Sequence, residues 1–108
     1  MVKKFNYRNE TIFFGYSHYT IGDGIAILAF TEEGELWCDI SVNVPDLPPL
    51  KENEIYIPLY KAKDIYEKVF KDFFVEEEIA HVKIGYGDGV RVKLIDDFRD
   101  YMLDDSVI

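Results

Sequence analysis

A chain of 108 residues with eight Phe, eight Tyr and one Trp is one domain's worth of sequence, able to bury roughly 60 to 70 % of its unfolded surface without metal or disulfide support. That apolar content excludes disorder, and a single cysteine, Cys38, excludes an internal disulfide and suits a reducing compartment. Twenty-one acids against twelve bases leave a net charge of −9, which disfavours non-specific attraction to nucleic acid and favours a basic partner.

Residues 1–10 read as a polar lead-in. Their two lysines precede no apolar run, and no stretch approaches the roughly 18 apolar residues of a spanning helix, so a cytoplasmic chain without a membrane role is expected. Thr11 to Thr20 is β-branched and aromatic and reads as a first strand, turned by Ile21-Gly22-Asp23-Gly24 into the next. Ile25 to Phe30 is apolar on both faces, as a central strand is. After the acidic TEEGE turn, Leu36, Cys38, Ile40, Val42 and Val44 alternate with Trp37, Asp39, Ser41 and Asn43. This is a hairpin signature, with the first set expected inward and the second outward. Pro45, Pro48 and Pro49 then predict a stiff loop. Their PxxP spacing also matches a ligand for aromatic grooves.

Glu54 to Tyr60 reads as a short edge strand limited by Pro58, whose edge at Glu54 to Ile57 would permit strand-to-strand dimerisation. Asp64 as N-cap, with Glu67 three residues on, predicts a helix that buries Ile65, Tyr66, Val69, Phe70, Phe73 and Phe74. Glu76, Glu77 and Glu78 suit a helix C-terminus poorly and mark the exit. A second hairpin is expected from Ile79 to Ile84 and Val90 to Ile95 around Gly85-Tyr86-Gly87-Asp88-Gly89. From Asp96 a last short helix would point Phe98, Tyr101 and Met102 inward and Asp97, Asp100 and Asp104 outward. The expected fold is α+β in a single domain, 1–108. It has a mostly antiparallel β-sheet of two hairpins plus a first strand, one main amphipathic helix packed on one face, and a possible short C-terminal helix.

Three groups of residues bear on function. If Ile84 faces Val90 across the glycine turn, His81, Lys83, Arg91 and Lys93 share one hairpin face. Such a face needs either neighbouring acids or a bound anion. Asp97, Asp100 and Asp104 with Glu76 and Glu77 form a candidate acidic stripe, and Trp37 with Asp39 offers aromatic and polar contact on the outward face of its strand. Mimicry of DNA is a question of magnitude. A domain of this mass exposes on the order of 6,000 Å², about one net charge per 700 Å², whereas duplex DNA carries about one per 100 Å². Only clustered acids could approach that. Catalytic signals are sparse: Cys38 and the histidines His18 and His81 predict no nucleophile pair, and the terminal aspartates have neither calcium-loop spacing nor a histidine among them. No cofactor or metal is expected.

The segment DGIAILAFTEEGELWCDISVNVPDLP combines an apolar strand, an acidic-glycine turn, the run Ser41-Val42-Asn43-Val44-Pro45 and a proline-rich loop. In these features it resembles a family of uncharacterised small bacterial proteins carried on mobile elements of gut bacteria. The resemblance spans roughly residues 23–50 and implies a mobile-element accessory protein, without implying any functional residue. The leading expectation is therefore an acidic, non-enzymatic protein-binding domain, an inhibitor or immunity-type factor against a basic target, acting as a monomer or an edge-strand dimer. The alternative is a small anion-binding module built on the His81, Lys83, Arg91 and Lys93 face.

Overall fold

The computed structural model describes residues 1–20 and 24–105; the expected turn at Ile21-Gly22-Asp23 lies outside them. The fold is α+β and mostly antiparallel, with one main helix. Its strands form two sheets. The larger has the order β1 (Lys4–Tyr7), β2 (Glu10–His18), β3 (Ile25–Thr31) and β4 (Leu36–Asp39), with β8 (Leu103–Asp104) running parallel to β2. The smaller has the order β5 (Glu54–Pro58), β7 (Gly87–Leu94), β6 (Val75–Ile84). A lone bridge joins them where Val42 N–H donates to the Tyr56 carbonyl at 3.0 Å.

The lead-in is a strand. Lys4 to Tyr7 pairs back on β2 through Arg8 and Asn9, whose φ values of 51° and 64° are those of a two-residue type I′ turn. Ile25 to Phe30 is central as expected, with β2 on one side and β4 on the other. Beyond it the alternation fails. A bulge between Ala29 and Phe30 inserts Trp37 as an extra residue, which re-aims the chain. Trp37 and Cys38 both pack against the core while Leu36 is left exposed. Ile40 and Ser41 are both buried, so the expected inward and outward sets do not hold.

The helical segment is α1 (Leu59–Ile65), a π-helical turn (Tyr66–Phe70) and α2 (Lys71–Phe74). It starts at Leu59 behind Pro58, so Asp64 stands mid-helix and caps nothing. The expected apolar face nevertheless forms: Ile65, Tyr66, Val69, Phe70 and Phe74 are buried and Phe73 packs against them. Phe14 of β2 meets Phe70 and Phe74 edge-on at 5.2 and 5.6 Å, and Phe5 of β1 meets Phe73 and Phe74 at 5.5 and 5.8 Å. One core cluster contains Phe14, Phe70 and Phe74 together with residues of β5 and β7, and Phe5 and Phe73 pack against it. The helix ends before the glutamates, and Val75 already begins β6.

The glycine turn is tighter than expected. Gly85 (φ 61°) and Tyr86 alone make it, and Ile84 pairs with Gly87. Gly87 and Gly89 are strand residues whose missing side chains admit neighbours: a Cβ on Gly87 would stand 2.1 Å from the Tyr60 ring, and one on Gly89 2.3 Å from Ile84 Cδ1. Near the C-terminus the expected short helix is a 3-10 turn (Phe98–Tyr101). It buries Phe98 and precedes buried Met102, while Asp104 belongs to β8.

Candidate functional site

Register decides the fate of the cationic hairpin face. Lys83 stands opposite Asp88 and His81 opposite Val90, whereas Arg91 stands opposite Ala80 and Lys93 opposite Glu77. Cross-strand partners share a face, so His81 and Lys83 are on one side of the sheet and Arg91 and Lys93 on the other. The four-cation face therefore does not form. Each charged cation has its own acid: Lys83 pairs with Asp88 at 2.7 Å, Lys93 with Glu76 at 3.0 Å, and Arg91 with buried Glu54.

β5 is an edge strand of its sheet, as expected, but a covered one. All five of its residues are buried, and the Val42 bridge together with the proline loop lies along it. Tyr56 donates its hydroxyl to the Pro48 carbonyl at 2.6 Å, and an Arg91 terminal nitrogen donates to the Pro49 carbonyl at 3.0 Å.

The acids do cluster, in part. Glu76 and Glu77 leave the helix on β6 and meet Lys93 on β7, whose pKa is raised first by its bond to Glu76 and also by Asp96 and Glu77. Asn53 donates to Asp96 at 3.3 Å. Asp97 and Asp100 follow in the tight turn after Asp96, where Asp100 N–H donates to the Asp97 carbonyl at 3.0 Å, and both side chains are exposed. The structure thus brings Glu76, Glu77 and Asp96 together around Lys93, with Asp97 and Asp100 exposed in the turn that follows and Asp100 lying toward Tyr16. Lys93 is the cation that neutralises part of this acidic corner. Asp104 turns aside: on β8 it faces Tyr16, whose hydroxyl is pushed up first by burial and then by Asp104.

Trp37 and Asp39 do not join this corner. They belong to β4 in the other sheet, where Trp37 meets the Tyr7 ring edge-on at 6.0 Å and Asp39 pairs with Lys61 at 3.5 Å. Cys38 is half-buried there. Burial first, then Asp39, pushes its thiol up, so it lacks the thiolate character of a nucleophile. Among the described residues, no three His, Cys, Asp or Glu side chains are arranged to hold a metal ion, and no helix is long and apolar enough to cross a membrane.

Asp96 and Lys93 complete the acidic corner, and the sequence reading left both out of it. The adjacency of Asp96 to Asp97 was a usable signal. The approach of Lys93 depends on strand register, which the sequence did not fix. No family model, curated protein or solved structure matches this chain.

Proposed function

We propose that this chain is a non-enzymatic binding module for a basic protein surface, and that the contact is made by Glu76, Glu77, Asp97 and Asp100. The observation that carries the reading is that sequence-distant acids, Glu76 and Glu77 of β6 and Asp96 before the C-terminal turn, all act on Lys93, with Asp97 and Asp100 exposed in the turn beyond. Spread over 6595 Å², a net charge of −9 is dilute. Glu76, Glu77 and Asp96 around one lysine raise the local density of negative charge, and such a patch steers a cationic partner and fixes its approach. The resemblance of residues 23–50 supports a cytoplasmic accessory role in a mobile element, as an inhibitor or immunity-type factor.

The test compares Glu77→Gln/Asp97→Asn/Asp100→Asn with a control that removes equal charge elsewhere, Glu10→Gln/Glu33→Gln/Glu35→Gln, in pull-downs at low and high salt. A basic protein retained by the parent and the control, lost from the corner variant and released by salt supports the reading. Equal retention by both variants, or equal loss, overturns it.

A further inference from the structure

A cleft of about 480 Å³ opens between the proline loop and the ends of β2 and β3. Its volume is within the range of small-molecule sites. Ile25, Val44, Leu47 and Leu50 give it apolar walls, and His18, Lys51 and Arg99 stand in its lining. The loop wall is held in place rather than merely collapsed. Tyr56 grips the Pro48 carbonyl at 2.6 Å, Arg91 the Pro49 carbonyl at 3.0 Å, and the Lys51 N–H donates to Glu54 at 2.8 Å.

The charged groups of the lining are balanced, Lys51 and Arg99 against Glu52 and Glu54, unlike the acidic chain as a whole. Two acids, Glu52 and Glu54, line the cleft, and Glu54 is consumed by Arg91 and the Lys51 N–H. Lys51 and Arg99 form no ion pair with a described residue, and Asp100 and Asp104, near Tyr16, do not line the cleft. Arg99 is held by its face, 4.4 Å from the Phe98 ring centre and 5.6 Å from that of Tyr16. A stacked guanidinium keeps its N–H edge for a planar anion, which it can hold with two parallel hydrogen bonds.

We propose that this cleft binds a small organic carboxylate with an apolar body, the body lying against Leu47 and Leu50 and the carboxylate on Arg99, with Lys51 as the second cation. The site adjoins the acidic corner, since Asn53 of its lining donates to Asp96 and Arg99 lies between Asp97 and Asp100 in sequence, and it would serve as a ligand input to that corner.

The experiment titrates the folded chain with 1-naphthoate and with its neutral isostere 1-naphthamide, following backbone amide resonances. Saturable shifts at Arg99, Leu47 and Leu50, and binding of the acid at least about tenfold tighter than the amide, are expected, since loss of one charge-assisted bond pair is of that size. Arg99→Gln should lose that preference while keeping a dispersed spectrum. Leu47→Trp, which fills the cleft, should abolish binding of both probes. Equal binding of acid and amide, shifts centred elsewhere, or undiminished binding to Leu47→Trp overturns the proposal.

Discussion

Arg91 reaches diagonally from β7 to Glu54 on β5, where its Nε donates to Oε1 at 2.9 Å, while a terminal nitrogen holds the Pro49 carbonyl at 3.0 Å. Both side chains are nearly closed to solvent, at 15 % and 8 % exposure, so removing one partner strands a buried charge. Arg91→Met is expected to cost about 3 kcal/mol at neutral pH, read as a lower urea midpoint. Burial opposes ionisation of Glu54, but the Lys51 N–H and Arg91 outweigh it and hold its carboxyl below the usual value. A depressed carboxylate contributes stability above its unfolded pKa and loses it as pH falls through the folded one. In Arg91→Met the unpaired Glu54 instead gains by protonation. The gap between parent and variant should therefore be widest near neutrality and narrow toward about pH 3; a constant gap would contradict the ion-pair account.

A second acid shows the same linkage at the surface. Asp64 accepts the Tyr7 hydroxyl and pairs with Lys68 and Arg8, each at 3.1 Å. The Tyr7 bond first, then Lys68, lowers its pKa to about 2, and burial, then Asp64, pushes Tyr7 up to about 12. Tyr7→Phe is expected to cost about 1 kcal/mol and to move the Asp64 titration back toward that of an ordinary aspartate. The stability that Asp64 supplies is present above about pH 4 and fades as pH falls toward 2. Carboxyl carbon shifts followed against pH would show it, and an unmoved Asp64 titration in Tyr7→Phe would refute the bond's role.

How far the sequence could lead depended on which physical signal each element carried. The apolar helix face and the central strand at Ile25 were legible because burial writes a period directly into the residues. The first hairpin was not, since Arg8 and Asn9 adopt positive φ without a glycine to announce it. Trp37 and Cys38 share the core side because a bulge, which leaves no mark on composition, breaks the alternation. The cationic face failed on register alone: glycines read as turn formers are strand residues kept small by Tyr60 and Ile84, and an odd shift of pairing sends every side chain to the other face. The two acidic runs were legible as residues. Their meeting around Lys93 required the sheet.

Strand glycines required by packing make a direct prediction. A methyl group at Gly89 would meet Ile84 Cδ1 at 2.3 Å and the Ile57 carbonyl at 3.2 Å. Ile84 can swing aside but the β5 backbone cannot, so Gly89→Ala is expected to cost about 1 to 3 kcal/mol. Gly34→Ala makes a useful contrast. Its Cβ would meet nothing, yet its φ of 89° strains any side chain. Pairing Gly89→Ala with Ile84→Val should recover part of the Gly89 loss in a double-mutant cycle and none of the Gly34 loss. Additive behaviour at Gly89 would remove the steric explanation.

The acidic corner makes a prediction about stability as well as binding. Glu76, Glu77 and Asp96 crowd around Lys93, which offsets part of their charge, and Asp97 and Asp100 add exposed negative charge in the adjoining turn. Residues retained for stability would leave the chain weaker when neutralised. Residues that only present charge would leave it unharmed, because surface repulsion is relieved. Glu77→Gln/Asp97→Asn/Asp100→Asn is therefore expected to melt no lower than the parent, and slightly higher at low ionic strength. The difference should vanish near 1 M salt, where charges are screened beyond about 3 Å. Thermal unfolding of both chains across a salt series decides it. A lower melting temperature at every ionic strength would mean that these carboxylates hold the C-terminal turn in place, and the corner would then be a structural feature rather than a binding face.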